Sequence, residues 1–202
     1  MLETPITLAL LVINVLVGVY TMYVDPTLLD RWAFKPQRFA HGGEWWRILT
    51  AGFVHVGLGH LAFNMITLYF FGPEIEWALG PVRFLAIYFG SEVMANLLTL
   101  WKHGDNPAYS AAGASGAISG VLFSFVLFAP FAMLGVMFII PMPAILFAVL
   151  YVVGSIYASQ QGGGRIAHEA HLGGALGGIV LTILLFPPAL SVFIEQVALK
   201  LG

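Results

Sequence analysis

The sequence contains no cysteine. Disulfides, thiolate metal sites and cysteine nucleophiles are therefore excluded, and cysteine usage says nothing about redox compartment. Charge is scarce as well. Lys, Arg, Asp and Glu make up 9% of the residues, against about 25% in soluble domains. Eight basic and ten acidic residues leave a net charge of −2, which offers no basic footprint for nucleic acid. Between Gly113 and Tyr157 there is no charge at all. No internal repeat and no low-complexity stretch interrupts the chain. The N-terminus has neither the basic segment nor the small-residue cleavage site of a secretory signal, so residues 5–24 are read as a retained span.

What is present is apolar. Hydrophobic residues account for 59% of the 202, and the mean hydropathy is +0.91. The expectation is a multi-pass integral membrane protein folded as one domain over residues 1–202, in contact with the lipid bilayer. Spans of about 20 apolar residues are expected at 6–24, 50–71, 82–101, 115–135, 143–158 and 166–186. The uncharged run is divided in two by Pro141-Met142-Pro143, because proline breaks the helix ladder and biases the residue before it away from helix. Residues 25–47 hold Arg31, Lys35, Arg38, Arg47, three acids and three tryptophans, and read as an interfacial loop with aromatic anchors. "SQQGGGR" at 159–165 reads as a turn, and Pro187-Pro188 stops the last span. The amphipathic tail is expected to lie at the interface. The fold class is an all-α membrane protein with six transmembrane helices.

Polar groups inside spans are costly and are functional candidates by default. The second span holds His55, His60 and Asn64; the fourth holds Ser115, Ser119 and Ser124; the sixth holds His168, Glu169 and His171. Consecutive spans alternate direction, so the second, fourth and sixth start from one membrane face. A rise of 1.5 Å per residue puts His60, Ser115 and His171 within roughly 10–15 Å of that face, with His171 about two turns into its span. "SAAGASGAISG" at 110–120 is too thin in large side chains to be lipid-facing. Gly116 and Gly120 make a small-xxx-small face, as do Gly174 and Gly178, and Gly173 and Gly177; such faces let backbones approach. Packing the fourth span on the sixth should bring Ser115 to His171. Ile183, opposite Gly174 on its helix, is expected to face lipid.

Serine becomes a nucleophile when a base takes its proton, and histidine is the usual base. Ser115 opens a helix, where unpaired N–H groups favour a developing oxyanion. His60 and Asn64 share a face of the second span, four residues apart, and both carry donors suited to an oxyanion. No carboxylate is placed as a third member, since Glu169 is two residues from His171; the expectation is a Ser115–His171 dyad. "HEAH" at 168–171 is not the H-E-x-x-H zinc pattern, and no metal or cofactor is assigned.

These residues resemble the rhomboid intramembrane serine proteases over nearly the whole chain. "GASG" (113–116) is similar to the family's nucleophile motif and "AHLGGALGG" (170–178) to its last-helix motif. "HVGLGHLAFN" (55–64) resembles its H-x4-H-x3-N pattern, Trp46-Arg47 the W-R of its first loop, and Gly72, Glu76 and Gly80 its G-x3-E-x3-G turn. The resemblance implies a six-helix rhomboid core, a water-filled cavity open to one face, and cleavage of the transmembrane segments of protein substrates by a serine endopeptidase without a cofactor. It implies Ser115 as nucleophile, His171 as base, His60 and Asn64 as oxyanion residues, and a bacterial inner membrane. Two departures stand out. Many relatives carry an aromatic residue four after the nucleophile, stacked on the base, where this chain has Ser119; many have glycine where Ala112 stands. Sidedness has two readings. Six basic residues, counting Lys102 and Arg165, lie on the active-site face against Arg83 and Lys200 on the other, so the positive-inside rule puts that face in the cytoplasm; the resemblance puts it outside. A catalytically silent, client-binding relative would lack the serine or the histidine, and a transporter would favour repeats and broken helices.

Overall fold

The computed structural model describes residues 3–136, 140–161 and 167–202. Helix α1 (Pro5–Tyr23) begins with proline, whose missing N–H costs nothing at a helix start. A first loop follows, built from the short helices α2 (Thr27–Trp32), α3 (Pro36–Gly42) and α4 (Arg47–Thr50) and a 3-10 turn (Ala51–Phe53). Next come α5 (Leu58–Leu79) and α6 (Pro81–His103), hinged at Gly80, whose φ of 81° suits glycine. Helix α7 (Ser115–Phe128) leads into a hairpin of β1 (Met133–Val136) and β2 (Ile140–Pro143), antiparallel with Met133 opposite Pro143. Helices α8 (Ala144–Gln161), α9 (His168–Leu185) and α10 (Pro188–Leu201) complete the chain. The protein is an all-α, multi-pass integral membrane protein; among the described residues α1, α6 and α9 are long and apolar enough to cross a membrane, and α5 reaches that standard together with the segment bent against it.

The second expected span, 50–71, begins too early. Residues Arg47–Phe53 meet α5 at 94°, so the helix starts at Leu58 and runs on to Leu79. The fourth, 115–135, ends seven residues early at Phe128, because Pro130 bars continuation and Pro141-Met142-Pro143 joins a hairpin rather than a helix junction. The turn at 159–165 falls outside the described residues from 162 onward, and so does the first residue of the span at 166–186.

Helix α7 is the centre. Eleven of its fourteen residues are buried, and at about 21 Å it is too short to cross a hydrocarbon core of about 30 Å. Its first residue, Ser115, lines a cavity. Around it, Leu68, Ile75, Phe84, Ile87, Ala117 and Val121 form the core.

Helix ends are closed by side chains from other helices. The first N–H groups of α1 are orphaned by helix geometry; the buried Glu76 carboxylate of α5 accepts from Ile6 N (2.9 Å), Thr7 N (2.6 Å) and the Thr7 hydroxyl (2.7 Å). Buried Glu92 of α6 likewise accepts the Ala117 N–H of α7 at 3.1 Å, while Asn96 donates to both Glu92 (3.0 Å) and the Ile48 carbonyl (2.9 Å). At the far end of α7, Gln196 of α10 donates to the Phe128 carbonyl at 2.6 Å.

Helices α6, α7 and α9 meet almost backbone to backbone. A Cβ added to Gly174 would lie 2.0 Å from the Gly116 carbonyl oxygen, and one on Gly178 would lie 2.1 Å from that of Gly120. The bare faces of Gly116 and Gly120 point instead at α6, where a Cβ would meet Ala95 at 2.6 Å and Ser91 Oγ at 2.0 Å. The glycines thus close a three-helix contact, where the sequence pairs α7 with α9 alone. Ile183 is half-buried, and Val180 and Leu184 are the exposed residues of that stretch.

Candidate active site

The approach to Ser115 is fixed by backbone bonds. Phe34 N–H donates to the Ala111 carbonyl (2.8 Å) and Ala111 N–H returns to Phe34 (3.0 Å), which ties the first loop to the segment before α7. Gly113 N–H donates to Ala51 (2.9 Å) and Ala114 N–H to the buried His55 Nε2 (3.4 Å). Arg47 secures the loop itself: it is buried, donates to the Asp30 and Ala33 carbonyls at 2.8 Å each, and pairs with Glu44. That pairing with Arg47 holds the Glu44 carboxyl below its usual range. Gly113 has a φ of 121°, and a Cβ there would strike the His60 ring at 2.4 Å. Only glycine leaves room for His60 beside the Ser115 backbone.

Ser115 is the first residue of α7, and His171 lies in the first turn of α9, shallower than the two turns expected. Their side chains meet: His171 Nε2 is 2.8 Å from Ser115 Oγ. Both line a cavity of about 570 Å3 with His60. Asn64, one turn further along α5, is buried and is not among the lining residues. The Asn64 amide nitrogen and His60 Nδ1 are buried without a protein partner, so both retain hydrogen-bonding capacity.

The cavity rim is polar. Glu169 accepts from the Tyr109 hydroxyl and pairs with His103 (3.0 Å) and Lys102 (3.5 Å); the His103 and Tyr109 rings stack at 3.8 Å. Burial, then the adjacent Glu169 carboxylate, pushes the Tyr109 phenol well above its ordinary pKa. Glu169 is thus engaged at the rim, as its spacing from His171 implies. His168 packs edge-on to His171 with centroids 6.1 Å apart. The Tyr151 ring of α8 lies 6.0 Å from that of His171, its plane inclined by 28°.

Sequence reasoning passed over Glu92 and Asn96. A carboxylate and an amide four residues apart in the middle of an apolar span were the available signal. His55 was noted as polar, but its seat under Ala114 has no sequence signature.

The arrangement offers a hydroxyl beside an imidazole, at the open start of a helix, in a cavity with a polar mouth. Comparison with known proteins follows the same line. The family model for the Rhomboid domain matches residues 42–188. RHOMBOID-like protein 12, mitochondrial, of Arabidopsis thaliana is 29% identical over 195 residues, covering 86% of this chain and 56% of that protein. Rhomboid protease GluP of Bacillus subtilis is 41% identical over 80 residues, 40% of this chain and 15% of that one. Inactive RHOMBOID-like protein 8 of Arabidopsis thaliana is 37% identical over 81 residues, 40% of this chain and 23% of that protein. The chain spans about half the length of the first of these and less of the others.

Proposed function

This chain belongs to the rhomboid family, and we propose that it is an intramembrane serine endopeptidase cleaving the transmembrane segments of other membrane proteins through Ser115 and His171. The family holds active proteases and inactive members alike, so the reading rests on this chain's own geometry. Its single carrying observation is the 2.8 Å contact between His171 Nε2 and Ser115 Oγ.

Neutral His171 takes the hydroxyl proton at Nε2 as Ser115 Oγ bonds to the scissile carbonyl carbon. The carbonyl oxygen gains the electron pair. The N–H groups at the start of α7 and the His60 ring beside Gly113 are the donors for that charge. The unpartnered amide nitrogen of Asn64 supports its assignment as a further donor. The imidazolium then gives its proton to the leaving amine, and the C–N bond breaks. Water entering through the polar rim repeats the sequence on the acyl-enzyme, with His171 again as base. The membrane we assign is a bacterial cell membrane; bacterial and mitochondrial rhomboids alike are similar to this chain.

The test is cleavage of a model transmembrane substrate by the purified chain in detergent. Ser115→Ala and His171→Ala are each expected to abolish cleavage at unchanged thermal stability, and the double variant to be no worse than either, because the two act as a unit. Cleavage above trace level in either single variant would overturn the dyad. A wild-type chain that binds but never cleaves such substrates would return the reading to a silent client-binding protein.

A further inference from the structure

A base acts only if its ring is held in plane with the hydroxyl it serves, and Ser119, four residues after Ser115, has no ring to offer. We propose that Tyr151 of α8 is the positioning residue that orients His171, acting from a different helix and anchored by Ser119. The inference rests on the dyad reading above.

Two observations carry it. The Tyr151 and His171 rings lie near parallel, with centroids 6.0 Å apart and planes inclined by 28°, within the range of offset-stacked aromatic pairs. The Tyr151 phenol is also hydrogen-bonded to Ser119 Oγ at 2.5 Å, and Ser119 Oγ lies 2.7 Å from the Ser115 carbonyl oxygen. A serine hydroxyl has one proton. Ser119 spends it on that carbonyl, so Tyr151 is the donor to Ser119. The contacts close a circuit: Ser115 Oγ to His171, His171 to the Tyr151 ring, Tyr151 O–H to Ser119, and Ser119 back to the Ser115 backbone. Three helices contribute to it. The Phe123 and Phe147 rings also pack on Tyr151, with centroids at 5.4 and 5.7 Å. The imidazole thus has beside it a ring that is held by its own helix at one end and by Ser119 at the other.

The experiment uses the full chain in detergent with three readouts: thermal unfolding, the rate of Ser115 labelling by a fluorophosphonate probe, and kcat and KM on a model transmembrane substrate. Wild type should label and Ser115→Ala should not; equal labelling of the two would sink the dyad reading itself. With that control met, Tyr151→Leu keeps an apolar side chain on α8 but removes the ring. It is expected to unfold near the wild-type temperature, with labelling and kcat down about 10- to 100-fold, the size of a loss from misplacement by about 1 Å, and with KM little changed. Tyr151→Phe keeps the ring and should lose less than Tyr151→Leu. It should lose about threefold to tenfold with its tether, Ser119→Ala should lose the same, and the double variant no more than either single, as a shared interaction requires. If Tyr151→Leu fails to fold, this last comparison decides. Wild-type labelling in Tyr151→Leu, or losses that multiply across Tyr151→Phe and Ser119→Ala, would leave the dyad intact and overturn the role of Tyr151.

Discussion

On the side of α9 that faces α6 and α7, backbone meets backbone; on the side that faces α8, ring meets ring. Gly174 and Gly178 bring α9 so close to α7 that an added Cβ would lie about 2 Å from a carbonyl oxygen, while on the α6 side a Cβ at Gly173 would lie 2.7 Å from the Met94 carbonyl oxygen and one at Gly177 3.0 Å from the Met94 Cβ. Helix α8 rests on Ala144, Ala148, Ser155 and the Tyr151 ring, and turns Leu146, Val149, Leu150, Val153 and Ile156 outward. In lipid there is no hydrophobic force to hold helices together, so close packing and hydrogen bonds must do it. The two sides therefore hold different quantities. Glycine contacts permit a single interhelical distance, and that distance sets how far His171 stands from Ser115. Ring contacts tolerate sliding, and what α8 contributes is the angle of the imidazole.

The largest break is expected at Gly174. Gly174→Val places a branched side chain where 2.0 Å separates a Cβ from the Gly116 carbonyl, so α9 must retreat by more than 1 Å. A misplacement of that size costs about 10²-fold in rate, and the lost packing should lower the unfolding temperature as well. Leu184→Val is the matched control on the same helix, at a residue 69% exposed. Cleavage and thermal unfolding measured side by side decide it. Equal activity and stability for the two would show that the glycine face does not set the dyad distance.

Next is Glu92, which holds α7 in the same three-helix contact by a hydrogen bond rather than by closeness. Glu92→Leu strands the Ala117 N–H and removes one acceptor from Asn96. A buried donor left unpaired costs about 1–3 kcal/mol, so the variant should unfold at a markedly lower temperature. Glu92→Gln keeps a carbonyl oxygen for one of the two donors and should lose about half as much. Activity per folded molecule should fall with leucine, since the start of α7 is also where Ser115 sits. A Leu variant as stable as wild type would mean that the glycines alone hold the triangle.

The glycine-packed side was the more legible in sequence, and the reason is physical. Helix periodicity turns Gly173, Gly174, Gly177 and Gly178 into a face, and alternation of spans gives Ser115 and His171 a common depth; neither step needs a distance. Contacts between elements that lie far apart in the chain left no such trace. Nothing near Tyr151 in sequence marks it as a neighbour of His171. Glu92 was visible as an intramembrane carboxylate, but its role as a cap depends on which helix end it meets. Span boundaries failed where a local rule was missed: Pro130 cuts α7 short, and the chain before Leu58 turns by 94°. Asn64 shares a helix face with His60 as spacing demands, and its amide nitrogen is buried and unpartnered.

The smallest effect is expected on the α8 side and sharpens the contrast at the level of a single methyl group. A Cβ added at Gly154 has nothing within 4 Å, whereas at Gly174 it collides with backbone. Gly154 lies three residues after Tyr151 and inside a helix, where glycine costs up to about 1 kcal/mol relative to alanine through backbone entropy. Gly154→Ala should therefore leave cleavage unchanged and raise the unfolding temperature slightly, while Gly174→Ala lowers both. The same substitution on the two helices then differs only in what stands opposite. If Gly154→Ala slows cleavage without destabilising the chain, α8 is holding more than the imidazole angle, and freedom of its backbone at Gly154 is itself part of turnover.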